Sequence, residues 1–406
     1  MEMTYAPPVA DLAKPRSRAL IVGAVGVALS ALAVVVDGGN LFRSWLIAYM
    51  VFLGISLGSL ALMMIQHLSG GQWGVFRRIF EASSRTLPLM AVLFVPVALG
   101  FQQLYPWSHA DLVQADEILR HRAPYLNATF FFARAVFYLL AWNALAQVMN
   151  RLSLRQDSGD VAVNTTIQRV SGAGLVVYAL TLTFAGIDWI MSLNPHWYST
   201  LFGFLMMGGQ GIAALSFTII AAAFLLPRPP LSGVLKPTHF HDLGKLTFAF
   251  IMLWAYFNFS QYMLTYAANL VEEIPYMVSR IRNGWQYLAL FLVIFHFFVP
   301  WLLLLSRDLK RRPRQLIRIA YWMLFMRFVD VFMLVSPEFL PSGENVHFVH
   351  GEEVMTRFFV SWTDVAAPLA IGGLWLWMFF TELAKRPLFA AGDPYLLESM
   401  RSGGGH

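Results

Sequence analysis

The sequence contains no cysteine. Disulfides, thiolate metal sites, covalent haem attachment and cysteine-ligated iron–sulfur clusters are therefore excluded within this chain. Charge is scarce as well. Only 13% of the 406 residues are Asp, Glu, Lys or Arg, against about 25% in soluble domains. Apolar residues make up 58%, and the chain reads as a membrane protein. Its net charge of +6 is spread over the ends of apolar runs, with no basic strip suited to a phosphate backbone, so no nucleic-acid partner is expected.

About 20 apolar residues cross the ~30 Å hydrocarbon core of a bilayer. Runs of that length occur at 18–36, 45–66, 86–105, 127–149, 170–192, 200–226, 243–268, 285–306, 316–336 and 362–383. The expected fold is an all-α integral membrane protein with about ten transmembrane helices, and no intervening segment could form a soluble domain. The first run follows Lys14, Arg16 and Arg18 without a small-residue cleavage site, so it reads as a retained helix rather than a signal peptide.

Lysine and arginine resist translocation. Of the 29 such residues, Arg43, Arg120, Arg122, Arg280, Arg282 and Arg357 fall on one side of the ten-run scheme, and Arg134 and Arg327 fall within runs. The remainder, including Arg77, Arg78 and Arg85, fall on the side shared by both termini, which is expected to be cytoplasmic.

Two runs end alike. Asp188, Met191 and Pro195 recur in spacing as Asp330, Met333 and Pro337. Both helices would run outward, so runs two to five and six to nine read as two pseudo-repeated four-helix bundles in one orientation. The corresponding segments are a tail at 1–17, a flanking helix at 18–44, bundles at 45–199 and 200–361, and a last helix with its tail at 362–406. Gly54, Gly58, Gly203, Gly208, Gly209 and Gly211 would let helices approach closely, because lipid provides no hydrophobic drive for association.

Ionisable groups at membrane depth cost at least about 2.5–3.5 kcal/mol and are usually paired or functional. Asp188 lies seven residues before Pro195, about 10 Å below that helix end. Arg134 lies at a similar depth in the preceding run, so the two are expected to pair. In the second unit Asp330, Arg327 and His296 lie at comparable levels, and His296 could accept and release protons near neutral pH. A proton path would also need polar residues toward the inner face. Candidates are His239, His241, Asp242 and Lys245, then Asn258 and Gln261, with Tyr178 and Thr181 in the fifth run. Each competes with a plain role in helix packing. His196, Trp197 and Tyr198 read as an interfacial turn.

His296 is the sole histidine in the middle of a run, so a bis-histidine haem is not expected. A quinone would need only an apolar cleft and a His or Asp partner, and stays open as a ligand.

The segments DWIMSLNPHWYSTLFGFLMMGGQG (188–211), HDLGKLTFAFIMLWAYFNFSQYMLTYAANLVEEIPYM (241–277) and GWQYLALFLVIFHFFVPWLLLLSRDLKR (284–311) resemble the ActF-type subunit of bacterial alternative complex III, in the NrfD/PsrC-like integral membrane family. The likeness covers about residues 45 to 385. It implies a bacterial inner-membrane subunit of a quinol oxidoreductase that reduces a cytochrome c or similar acceptor. Partners would be an iron–sulfur protein, a multihaem cytochrome c and a sister NrfD-like subunit. Haem and iron–sulfur clusters would sit on those partners, and a quinone such as menaquinone is the only cofactor implied for this chain. The resemblance makes Arg134, Asp188, His296, Arg327 and Asp330 candidates for a proton path, with His241 and Lys245 at its inner mouth.

Two other classes fit a polytopic chain with buried charges: a secondary transporter with parallel repeats, and a passive membrane anchor of an iron–sulfur/molybdopterin oxidoreductase. Transporters commonly break paired helices at the midplane, whereas Pro88, Pro96, Pro300 and Pro368 do not fall at matching depths. Copurification with multihaem and iron–sulfur partners would discriminate against the transporter.

Overall fold

Where no water reaches the backbone, its N–H and C=O groups must pair within the chain, and a helix does this locally. The computed structural model obeys that constraint: 82% of the described residues are helical, and none of them forms a strand. Those residues are 9–70, 72–160, 162–228, 231–271, 273–348, 356–390 and 392–393. Residues 1–8 of the N-terminal tail and most of the C-terminal tail, both expected to be cytoplasmic, lie outside them.

The main helices are α1 (Val9–Val36) and α2 (Gly38–Ser69), then α3 (Arg77–Ser84), α4 (Leu87–Leu93) and α5 (Val95–Leu99). They continue with α6 (Ala128–Asp157), α7 (Val163–Trp189), α8 (Phe202–Leu225) and α9 (Pro237–Ala268). The last four are α10 (Trp285–Leu292), α11 (Val299–Leu305), α12 (Pro313–Val335) and α13 (Thr363–Leu383).

Among the described residues, nine helices or helix runs are long and apolar enough to cross a membrane, against the ten expected. The exception is α9. It is 32 residues long, but Thr247, Asn258, Ser260, Gln261 and Thr265 dilute its apolar character. The third run also departs from expectation. It begins earlier, at Trp73, and is broken into α3, α4 and α5. Pro88 and Pro96 open the last two pieces, because proline cannot donate to the helical ladder.

At the centre stand α2 and α8, with 94% and 83% of their apolar stretches buried, against 22% for α6. Around them lie α7, α12 and α13, and α1 packs along α13. That last contact is backbone to backbone: a Cβ placed on Gly26 would lie 2.1 Å from the Ala370 nitrogen.

Candidate functional site

The first buried acid is Asp188, at the C-terminal end of α7 and fully buried. Arg134 of α6 grips it with two bonds, Nε to Oδ2 at 2.8 Å and Nη2 to Oδ1 at 2.9 Å. Tyr138, one turn further along α6, donates its hydroxyl to Oδ2 at 2.8 Å. The guanidinium also lies 3.9 Å from the centroid of the Tyr125 ring. A two-pronged arginine plus a phenol satisfies most of the carboxylate's lone pairs, which is what a charge withdrawn from water needs.

From Asp188 a line of side chains runs back into the bundle. The Tyr138 ring stacks on Trp142 at 6.0 Å. Trp142 donates to the Thr181 hydroxyl at 2.8 Å, which itself donates to the Val177 carbonyl. Near the same level Tyr178 donates to Oε1 of Gln210 at 2.9 Å. Thr181 and Tyr178 therefore join polar pairs, and the sequence reading missed both partners, Trp142 and Gln210.

The second buried acid, Asp330, is held differently. Arg327, one turn earlier in the same helix, donates to its Oδ2, and Trp254 of α9 donates Nε1 to that oxygen at 3.1 Å. The guanidinium occupies a notch left by Gly209, where a Cβ would fall 2.1 Å from its central carbon. This glycine makes room for a side chain rather than for a helix backbone. In both sites the carboxylate accepts from one arginine and one aromatic donor. The arginine comes from the preceding helix in the first site and from the same helix in the second.

His296 was expected to join Arg327 and Asp330. It does not hydrogen-bond to either. Trp254 stacks on it, its ring 4.0 Å from the imidazole centroid to centroid, and both ring nitrogens of His296 are buried without a hydrogen-bond partner among the described residues. The backbone here is a π-helix over Val293–Phe298. Pro300 follows it and cannot supply the N–H that an α-helical ladder would direct to the His296 carbonyl. Such π segments occur frequently at functional positions.

The remaining candidates are more ordinary. Asn258 donates to the Trp254 carbonyl at 2.9 Å, and Gln261 accepts from Ser199 while donating to Thr265. Lys245 reaches Asp242 at 3.4 Å, and His241 lies 3.8 Å from the same carboxylate. They flank the start of α9, far along the helix from Trp254.

Three charged groups escaped the sequence reading. Arg77 and Arg78, expected as loop cations, are buried in α3 and share Glu81, with bonds of 2.9 and 2.5 Å. Arg77 also reaches Gln156 and Ser153. Arg43, expected in a loop, is buried in α2 and holds Asp364 of α13 with contacts of 2.8 and 2.7 Å. The third group lies at the end of the bundle nearest the two buried acids. There His196 bonds Asp116 at 2.5 Å, and His347 lies 5.5 Å from His196, ring to ring. His347 in turn meets Glu338 at 3.3 Å, and Arg280 meets the same acid at 2.9 Å. Burial opposes ionisation of Asp116, but the His196 ring and the N–H groups of Leu119 and Ile118 outweigh it, and its carboxyl is held below the usual value. The signal for this group was present: each histidine lies in a turn carrying or facing an acid, but sequence does not show that the turns converge.

Fold and site together define a multi-pass, all-α membrane protein with buried arginine–carboxylate centres. No family model matches the chain, and no curated protein matches it.

Proposed function

We propose that this chain is a membrane subunit of a quinol:electron-acceptor oxidoreductase complex and provides part of a transmembrane proton path. The reading rests on the likeness of segments 188–211, 241–277 and 284–311 to ActF-type subunits. The observation that carries it is the second centre, where a fully buried imidazole, without hydrogen-bond partners among the described residues, stacks on the indole that also holds Asp330. An architectural ion pair has no need of such a histidine, whereas a proton carrier requires one with an open nitrogen.

In this reading the chain comprises two four-helix bundles of like orientation in a bacterial inner membrane, with both termini cytoplasmic. Haem and iron–sulfur clusters belong to partner subunits. Quinol oxidation in the complex releases protons as well as electrons. The residues of this chain hold and pass the protons: Asp330 and His296 take them up, and Arg327 and Trp254 orient the carboxylate. A quinone headgroup could fit an apolar pocket of about 320 Å³ at the outer end of α7. Leu126, Ile187 and Met191 would wall it, with Tyr125 and His121 as polar contacts. This volume lies in the range of small-molecule sites.

The test is proton release per quinol oxidised, measured with the purified complex in proteoliposomes. Asp330→Asn and His296→Gln should leave assembly intact and lower the ratio. Unchanged stoichiometry in both variants would remove the proton-path role.

A further inference from the structure

A large groove among the described residues has no part in that path. It runs between α1, α8 and α13, with a volume of about 840 Å³. Phe52, Phe224, Leu376 and Phe380 form its walls, and the side-chain-free backbone at Gly372 and Gly373 lies between them.

One end is cationic. Lys14 and Arg18 on α1 and Arg228 just beyond α8 line that end, and no acidic side chain lines the groove among the described residues. Lys14 and Arg18 are one turn apart and so share a helix face. Both are exposed, and neither has an ion-pair partner among the described residues. Arg228 is held in place at the mouth, with its guanidinium 3.9 Å from the Phe224 ring centroid. The start of α1 and the ends of α8 and α13 meet here, so the cations gather at one end of the bundle.

The apolar part extends from Phe380 to Pro368, twelve residues along α13, which is about 18 Å. That is close to half of a ~30 Å hydrocarbon core. An apolar channel one leaflet deep with cations only at its mouth matches one kind of ligand: a negatively charged headgroup with acyl chains beneath it. Basic pockets between membrane helices bind such headgroups.

We infer that this groove is a specific binding site for an anionic phospholipid, its phosphate held by Lys14, Arg18 and Arg228 and an acyl chain lying along α13. The inference requires only the multi-pass architecture and is independent of the proposed function.

Native mass spectrometry of the full chain, loaded with dioleoyl phosphatidylglycerol or dioleoyl phosphatidylcholine, tests it. The wild type should retain the anionic phosphatidylglycerol preferentially. In a Lys14→Gln/Arg18→Gln double variant the preference should fall about 30-fold, the effect of losing two charges near a membrane surface. Arg16→Gln, on an exposed cation outside the groove, should leave it unchanged. Leu376→Trp, which fills the groove and keeps the cations, should reduce retention and serves if the double variant does not fold. Glycerol phosphate without acyl chains should not displace the lipid. Equal retention of both lipids by the wild type, an undiminished preference in the double variant, undiminished retention in Leu376→Trp, or displacement by glycerol phosphate would each overturn the assignment.

Discussion

Trp254 and His296 lie ring against ring, centroids 4.0 Å apart and planes 33° from parallel, while the indole N–H of the same tryptophan bonds Asp330. One side chain thus touches both titratable groups of the second centre. A carboxylate and an imidazole on adjacent helices are coupled through an aromatic ring that carries no charge itself.

Trp254→Phe keeps a ring over His296 but removes the donor to Asp330. A hydrogen bond to a charged group contributes about 1.5–3 kcal/mol, and thermal unfolding in detergent should show a loss of that order. Infrared spectroscopy should also show a shifted carboxyl band absent from an Asp330→Asn background. An unmoved band would mean that the indole does not set the state of Asp330.

Arg134→Ala strands the Asp188 carboxylate with only the Tyr138 hydroxyl. Removing one member of a buried pair costs about 3–5 kcal/mol, so yield and unfolding temperature should drop sharply. The double variant Arg134→Met/Asp188→Leu should recover part of the loss, because apolar replacement of both partners is often neutral. A single variant as stable as wild type would show that the pair bears little of the fold.

Two neighbouring glycines make a contrast. A Cβ at Gly208 meets its nearest atoms at 3.7 Å, whereas one at Gly209 falls 2.1 Å from the Arg327 central carbon. Gly208→Ala should be neutral or stabilising by up to about 1 kcal/mol, the gain in helix propensity. Gly209→Ala must push Arg327 off Asp330 and should cost about 1–3 kcal/mol by overpacking. Equal unfolding temperatures for the two variants would refute the notch.

Asp116 ionises below its ordinary value of 3.8 in the folded protein because His196 and two N–H groups outweigh its burial. A depressed carboxyl favours folding in full above that ordinary value, and the contribution is lost as pH falls through the lower folded value. His196→Ala should therefore move the acid edge of the tryptophan-fluorescence transition to higher pH. An acid edge that stays put would show that the imidazole does not hold Asp116.

The pairing of Asp188 with Arg134 was legible because residue counts from helix ends put both at one level, and a buried acid needs a partner. Trp254 was not legible. Tryptophan in an apolar run reads as packing, and nothing local reveals that its N–H meets a carboxylate on another helix. Arg77 and Arg78 were misread for a related reason. Their polarity ended the apolar run on paper, yet α3 carries them into the interior, where Glu81 offsets their charge. The Arg43–Asp364 pair was beyond reach, since it depends on how the second helix lies against the last. Helix α9 shows the converse: its polar side chains thin its apolar character but do not shorten it.

The two members of that last pair are separated by 321 positions, which sets an order on biogenesis. At 5–20 residues per second, Arg43 waits roughly 16 seconds to a minute for the carboxylate that neutralises it. Until then Asp37, just before the same helix, is the acidic neighbour of that guanidinium. Completion of α13 therefore supplies the two-oxygen partner of Arg43, and a chain stalled before it would lack that pair.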